Sequence, residues 1–132
     1  MEIPADGKDQ NNLNVRKSNF DLERRTTNFA KKVIKICQAV PRNPINDRIT
    51  GQLAGCSGSI GANYREANDA LGKKDFLSKI KTSRREAKET IHWLELLMTA
   101  NPRVKAETEL LISEAVEYKN IFSAIIKKVE QK

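Results

Sequence analysis

The sequence predicts an all-α protein, an antiparallel up-down-up-down four-helix bundle. Three observations support this fold. Apolar residues recur at alternating steps of four and three in four long segments, prolines or glycines separate these segments, and no stretch alternates apolar and polar residues as a β-strand would. The expected helices lie near residues 20–40, 47–69, 74–100 and 103–130. Residues 1–17 lack this periodicity and are predicted to form a mobile N-terminal tail, which leaves residues 18–132 as one bundle domain.

The first predicted helix carries one apolar stripe between a capping residue and two prolines. Ser18 or Asn19 is the expected N-cap, because such side chains accept hydrogen bonds from free backbone N–H groups. Pro41 and Pro44 lack a backbone donor and disfavour the α conformation in the residue before them, so the helix is predicted to end there. The stripe consists of Leu22, Thr26, Phe29, Val33, Ile36 and Val40.

The second predicted helix is unusual because it is rich in glycine. Asn46 or Asp47 is expected to cap it. Its apolar stripe consists of Ile49, Leu53, Cys56, Ile60, Asn63 and Ala67. Each glycine costs about 1 kcal/mol relative to alanine in a helix interior, so we expect a neighbouring backbone to pack closely against this segment. The glycines are Gly51, Gly55, Gly58 and Gly61.

The third and fourth predicted helices carry apolar residues beyond one stripe each. The main stripes are Phe76, Leu77, Ile80, Ala87, Ile91, Leu94 and Met98, then Val104, Thr108, Leu111, Ala115, Tyr118, Phe122, Ile125 and Val129. A second apolar face left in water would form a patch large enough to drive association. We therefore expect self-association through these surplus residues and the small-residue face of the second helix. The surplus residues are Trp93, Leu97, Leu110, Ile112, Val116, Ile121 and Ile126.

The composition argues against several classes of protein. With 31% charged residues and a mean hydropathy of −0.59, no stretch approaches the ~20 apolar residues that span a bilayer. The N-terminal residues contain no apolar segment of a secretory signal, so a cytoplasmic protein is expected. Cys37 and Cys56 lie beside apolar stripes and are interpreted as small core residues. Two cysteines and one histidine supply neither a disulfide framework nor a zinc site, and we expect no metal and no cofactor.

The net charge of +7, from 24 Lys and Arg against 17 Asp and Glu, favours polyanionic partners. The cations cluster in the first and third predicted helices, and such clusters bind phosphates without reading base sequence. A solvated face that keeps the protein soluble is the alternative interpretation. The candidate nucleic-acid-binding residues are Arg24, Arg25, Lys31, Lys32, Lys35, Lys74, Lys81, Arg84, Arg85 and Lys88.

Arg84 and Tyr64 lie near these clusters and need separate interpretation. Arg84 continues the apolar stripe of the third helix, so it either contacts phosphate or points inward and pairs with a carboxylate such as Glu66. The aromatic residues are too few, and too regularly placed on the apolar stripes, to serve as platforms for base stacking, and Tyr64 beside Arg65 is the one candidate for an exposed ring.

A set of polar residues spans the second and third predicted helices, namely Asn63, Arg65, Glu66, Glu86 and Glu89. Paired carboxylates on facing helices can hold a metal or transfer protons. Glu89 and His92 supply one Glu-x-x-His spacing, but a di-metal bundle needs this motif on two helices, and His92 is the one histidine of the chain. We therefore expect structural roles, with Glu86 and Glu89 contacting Arg65 or a neighbouring subunit. No catalytic residue is identified, and the protein is not expected to be an enzyme.

Residues 59–97 resemble a known family. The segments that carry the resemblance are SIGANYREA at 59–67, KKDF at 73–76, REAKET at 85–90 and WLELL at 93–97. In these segments the chain is similar to the 23S rRNA intervening-sequence proteins, which are four-helix bundles named for reading frames within insertions in bacterial large-subunit ribosomal RNA genes. It is also similar to the related accessory protein of diversity-generating retroelements. The resemblance extends over about residues 20–130.

The resemblance implies a homopentamer with a basic surface, association with nucleic acid and no enzymatic activity. We accordingly expect a non-enzymatic oligomeric scaffold that associates with RNA through basic residues of its first and third helices. The alternative is a protein-interaction or structural oligomerisation module without nucleic-acid binding, for example an accessory subunit of a reverse transcriptase. The expected partners are further copies of the chain together with RNA, a reverse transcriptase or another acidic protein, and no membrane.

Overall fold

The structure is a computed structural model that describes the backbone of residues 7–131 and the side chains of residues 19–131. The elements in order are helix α1 (Gly7–Ala39), α2 (Pro44–Asn68), α3 (Lys73–Ala100), a 3₁₀ turn (Pro102–Val104) and α4 (Lys105–Glu130). No strand occurs between residues 7 and 131. The predicted all-α fold with four helices is therefore confirmed, and α2, α3 and α4 lie close to their predicted bounds.

Helix α1 starts earlier than the sequence predicted. It begins at Gly7 rather than near residue 20, so Ser18 and Asn19 lie inside the helix and the predicted N-cap is wrong. The first turns of α1 are polar and lack the apolar periodicity on which the prediction depended. The Asn19 side chain instead accepts a hydrogen bond from the Tyr64 hydroxyl of α2 at 3.2 Å. The mobility of residues 1–17 stays a prediction, and residues 1–6 lie outside the described residues.

The connection between α1 and α2 is closed by asparagine side chains. Asn43, not the predicted Asn46 or Asp47, is the N-cap of α2, and its side chain accepts from the Asn46 backbone N–H at 2.8 Å. The buried Asn46 amide donates to the Pro41 carbonyl at 2.9 Å and exchanges hydrogen bonds of 3.0 and 2.9 Å with the Asn101 amide. These bonds tie the start of α2 to the end of α3.

The predicted apolar stripes meet in one core. Phe29 of α1 packs edge to face on Tyr118 of α4, with ring centroids 5.4 Å apart. Leu97 and Ile126 are buried in this core, so the prediction that they belong to an outer apolar face is wrong. Fewer apolar residues are therefore available for association than the sequence indicated. The exposed large apolar side chains of the described residues are Phe20, Ile34, Ile45, Leu71, Leu96 and Leu110.

The glycines of α2 differ in their surroundings. A Cβ added to Gly61 would lie 2.7 Å from Thr26 Oγ1 on α1, which is a very close approach. Nothing lies within 4 Å of a Cβ built on Gly51, Gly55 or Gly58, and all three are exposed. Within the chain, the predicted close packing is confirmed for Gly61 and wrong for the other three glycines.

Helix α3 packs extensively on both α2 and α4, whereas α1 and α4 touch much less. The buried Ser83 hydroxyl of α3 donates to the Ile60 carbonyl of α2 at 3.0 Å. Because a serine is the side chain at this crossing, the two helices approach closely. None of the helices in residues 7–131 is long and apolar enough to cross a membrane.

Candidate nucleic-acid interface

Three of the five candidate cations on α1 form ion pairs. The pairs are Arg24 with Asp21 at 3.4 Å, Arg25 with Glu117 at 3.2 Å and Lys32 with Glu114 at 3.3 Å. The remaining two candidates, Lys31 and Lys35, are exposed, and neither pairs with a carboxylate among the described side chains. Carboxylates on α4 thus neutralise two of the five candidate cations on α1, and Asp21 neutralises a third.

Tyr118 is at the centre of the contacts between α1 and α4. Its hydroxyl donates to the Glu114 carboxylate and lies 3.1 Å from the Arg25 carbonyl oxygen. The Arg25 guanidinium carbon lies 5.3 Å from the centre of the Tyr118 ring, within the range of a cation–π interaction. Burial, together with the Glu114 carboxylate, raises the pKa of Tyr118. Arg25 therefore helps to hold α1 on α4, and a phosphate would have to compete with these contacts.

Helix α3 presents a row of exposed side chains without a carboxylate. Positions 74, 78, 81, 85, 88 and 92 follow one another at steps of four and three, so they share one face of the helix. The row spans ~27 Å at a rise of ~1.5 Å per residue. Four predicted binding residues thus lie together. The exposed members of this α3 cationic row are Lys74, Ser78, Lys81, Arg85, Lys88 and His92.

Two candidates on α3 have different surroundings from the rest. Lys81 lies in the row, but its Nζ atom is 3.1 Å from Glu130 Oε2 at the end of α4. Arg84 is half-buried beside the row. Its suggested partner Glu66 lies 3.7 Å from the Nζ atom of Lys79, so the interpretation of an Arg84–Glu66 pair is wrong. Lys81 is therefore partly neutralised. The Arg84 side chain has no carboxylate partner among the described side chains, so the structure gives no support for its pairing inside the bundle.

Arg65 and Asn63 of the predicted polar set make contacts within the bundle. Arg65 donates to Glu23 Oε1 of α1 at 3.0 Å, and Asn68 donates to the other oxygen of the same carboxylate at 2.8 Å. Asn63 donates to the Ser59 carbonyl one turn earlier at 2.9 Å. These bonds attach the end of α2 to α1, so the polar residues here have a structural role.

Glu86 and Glu89 lie on α3 and do not contact Arg65, whose partner is Glu23, so the predicted pairing with Arg65 is wrong. Glu86 is half-buried, and burial together with the neighbouring Glu89 raises its pKa. Contact of these two carboxylates with a neighbouring subunit stays a prediction. Among the side chains of residues 19–131, no group of three or more His, Cys, Asp or Glu is placed to hold a metal ion.

The thiols and Tyr64 are poorly accessible. Cys56 is buried and Cys37 is half-buried. Burial raises the pKa of the Cys37 thiol to about 11 and also raises the pKa of Cys56, so both are protonated at neutral pH. This agrees with their interpretation as small core residues. Tyr64 is only 3% exposed, so the expectation of an exposed ring is wrong, and the ring is not accessible for base stacking.

A groove of about 400 Å³ opens between α1 and α4. Its lining is mainly apolar and includes Ile36, Leu111 and Leu110, of which Leu110 is 74% exposed. Lys35 of α1 and Glu107 of α4 also line it. An apolar groove with charges of both signs at its edges fits a protein segment better than a phosphate backbone.

The sequence did not predict that α4 contacts the α3 cationic row. No role was expected for Glu130, although its carboxylate forms an ion pair with Lys81. Periodicity within a helix gives no register between two helices, so this contact could not be predicted. The one signal in the sequence is the basic last turn of α4, with Lys127 and Lys128.

Comparison with known proteins agrees with the fold. The 23S rRNA-intervening sequence protein family matches residues 18–124. Among solved structures, the chain is similar to a protein of unknown function from the S23 ribosomal protein family of Bacteroides thetaiotaomicron, with 26% identity and a TM-score of 0.71. That similarity covers 83% of this chain and 97% of the other. No curated protein matches the chain. The family match spans most of the sequence, and the chain therefore belongs to the 23S rRNA-intervening sequence protein family.

Proposed function

We propose that this protein is a non-enzymatic, oligomeric scaffold of the cytoplasm that binds RNA through phosphate contacts. The observation that carries the proposal is the α3 cationic row, where Lys74, Arg85 and Lys88 are exposed and have no carboxylate partner among the described side chains. Helix α1 contributes less than the sequence indicated, through Lys31 and Lys35. Contacts of this kind release counterions and carry no information about base sequence.

The proposal includes an up-down-up-down arrangement in which successive helices are antiparallel. Its support is the shortness of the connections, because short connections join antiparallel neighbours in helix bundles. The connection between α2 and α3 comprises residues 69–72, and that between α3 and α4 comprises residues 101–104 with its 3₁₀ turn.

The proposal also includes a homopentamer, which the family resemblance implies. Its structural support is a small-residue face on α2, whose members follow one another at steps of four, three and four. They are exposed, and the glycines among them have open space beside them, so another copy can approach the α2 backbone closely. Such packing would offset the helix cost of about 1 kcal/mol per glycine. The members are Gly51, Gly55, Gly58 and Ala62.

Sedimentation velocity of the wild type and of Gly55→Gln tests the assembly. The wild type is expected to sediment as a pentamer, and the glutamine side chain is expected to dissociate it by filling the approach to α2. A monomeric wild type contradicts the oligomer. A pentameric Gly55→Gln variant excludes the small-residue face from the interface.

RNA affinity is tested with two variants that lose the same charge. The first replaces Lys74, Arg85 and Lys88 of α3 by glutamine, and the second replaces Arg24, Arg25 and Lys32 of α1 by glutamine. Fluorescence anisotropy with a short RNA of arbitrary sequence measures Kd. The α3 variant is expected to bind about 100-fold more weakly at about 0.1 M salt. Each lost phosphate contact lowers the slope of log affinity against log salt by ~0.7, which corresponds to ~0.7 log unit of affinity at this salt concentration relative to 1 M.

The α1 variant is the matched control, because its cations are already paired with carboxylates. It is expected to weaken binding by less than about tenfold. Equal weakening by the two variants would mean that net charge alone determines the affinity, which contradicts the proposal. Circular dichroism confirms that both variants remain helical.

A second candidate function is a protein-interaction module, and the groove between α1 and α4 favours it. Leu110 is 74% exposed in this groove, and a partner such as a reverse transcriptase would cover it. Under this alternative, Leu110→Glu abolishes partner binding, while the α3 variant leaves it unchanged. A reverse transcriptase gene beside the gene for this protein would favour the alternative, and an insertion within a ribosomal RNA gene would favour the RNA scaffold.

A further inference from the structure

Helix α4 has a basic flank next to the α3 cationic row. The contact between Lys81 Nζ and Glu130 Oε2, at 3.1 Å, places the last turn of α4 beside the middle of the row. Positions 119, 123, 127 and 130 follow one another at steps of four, four and three. Lys119, Ser123 and Lys127 therefore lie on the same flank of α4 as Glu130. Lys119 is half-buried and Lys127 is exposed, and neither pairs with a carboxylate among the described side chains.

The two helices therefore carry two rows of side chains next to each other, and the α4 row contains two lysines, Ser123 and Glu130. Packed helices lie ~8–10 Å apart between their axes, so the flank of α4 forms a second row next to that of α3. A single strand has one line of phosphates and can follow one row. A double helix has two lines of phosphates, one on each strand, and proteins that bind RNA duplexes contact both strands across the minor groove through shape and backbone.

The side chains on the two rows favour backbone contacts. His92 is the one ring at positions 74, 78, 81, 85, 88 and 92 of α3 and 119, 123, 127 and 130 of α4, and no Phe, Tyr or Trp lies there. Proteins that hold single strands commonly stack the bases on such rings. The hydroxyls of Ser78 and Ser123 are small donors that suit phosphate or sugar oxygens.

We propose that Lys119 and Lys127 of α4 complete the phosphate-binding face of α3, and that the ligand is double-helical RNA. This inference rests on the proposed RNA-binding function and specifies the class of RNA. The α3 cationic row contacts one strand, and the two lysines of α4 contact the other. Glu130 is the last member of the α4 row, where its carboxylate holds Lys81 and repels phosphate.

The test compares one RNA duplex with one of its unpaired strands, using the full chain. The variant replaces Lys119 and Lys127 by glutamine. The control replaces Arg103 of the 3₁₀ turn and Lys105 at the start of α4 by glutamine, which removes the same charge at the other end of the helix. The first variant is expected to weaken duplex binding by about tenfold or more at about 0.1 M salt and single-strand binding by about twofold or less. The control is expected to change neither affinity by more than about twofold.

Two further variants keep the result interpretable. Lys127→Gln alone changes an exposed side chain and is expected to give part of the duplex loss without affecting folding. Glu130→Gln is expected to increase duplex affinity severalfold in the wild type, and by less in a Lys81→Gln background, where only the repulsion of phosphate by the carboxylate is removed.

The outcomes separate this inference from the function on which it rests. Loss of duplex binding with the α3 variant, but no loss with the Lys119 and Lys127 variant beyond that of the control, overturns the two-helix face alone. Equal losses for duplex and single strand overturn the assignment of a double-helical ligand. Absence of RNA binding by the wild type overturns the proposed function itself.

Discussion

Gly61 marks the closest approach of α1 to α2, and its replacement by alanine is predicted to destabilise the bundle. An added Cβ would lie 2.7 Å from Thr26 Oγ1 and 3.2 Å from Thr26 Cβ. Thr26 is fully buried, and its hydroxyl lies 2.9 Å from the Leu22 carbonyl oxygen and 3.0 Å from that of Glu23. The clash is therefore relieved either by moving the helices apart or by turning the hydroxyl away from these carbonyls.

Opposing effects determine the size of the change. Alanine is favoured over glycine by about 1 kcal/mol within a helix. Overpacking a core costs about 1–3 kcal/mol, and losing a buried hydrogen bond costs about 1 kcal/mol more. We predict that Gly61→Ala lowers the free energy of unfolding by about 1–3 kcal/mol in total.

Urea unfolding followed by circular dichroism at fixed protein concentration measures this change. Thr26→Ala provides the control, because it removes the Oγ1 atom that the new Cβ would meet. In that background, Gly61→Ala is predicted to destabilise the bundle less than in the wild type, because only the contact with Cβ of residue 26 remains. Stabilisation by about 1 kcal/mol in the wild-type background would show that the helix preference for alanine is unopposed, and would refute close packing at Gly61.

Two further predictions concern stability. Tyr118→Phe is expected to lower the free energy of unfolding by about 1–2 kcal/mol in the same assay, because it removes the hydroxyl that donates to Glu114 while the ring still packs on Phe29. Unchanged stability would contradict this. Burial raises the pKa of Glu86 above its unfolded value, so ionisation of Glu86 destabilises the folded state as the pH rises through that raised pKa. Glu86→Gln is therefore expected to raise stability at about pH 7 but not at about pH 3, and an equal effect at both pH values would contradict the assignment.

The sequence predicts the core of this protein well because a buried stripe leaves a periodic signal. Leu22, Phe29 and Val33 recur at helical spacing, and all three are buried. The start of α1 and the cap of α2 leave weaker signals. The polar first turns of α1 carry no apolar stripe. By residue type, Asn43 and Asn46 are equally suitable caps of α2, and only the structure shows that the Asn46 side chain binds Asn101 instead.

The candidate site could be predicted only where it depends on one helix. Lys81, Arg85 and Lys88 share a face because of their spacing within α3, and the structure confirms this. The ion pairs of Arg25 and Lys32 could not be predicted, because their partners on α4 lie more than eighty residues away in the sequence. Spacing within a helix contains no information about which residue of another helix lies opposite.

The dependence of RNA affinity on salt tests the central claim most directly, namely that α3 binds phosphates while Arg24, Arg25 and Lys32 of α1 are held by carboxylates. The measured quantity is the slope of log Kd against log salt concentration. Replacing Lys74, Arg85 and Lys88 by glutamine is predicted to reduce this slope by about 2, at ~0.7 per contact. The matched α1 variant is predicted to reduce it by less than about 1. An unchanged slope for the α3 variant, or the same reduction for both variants, would contradict the account.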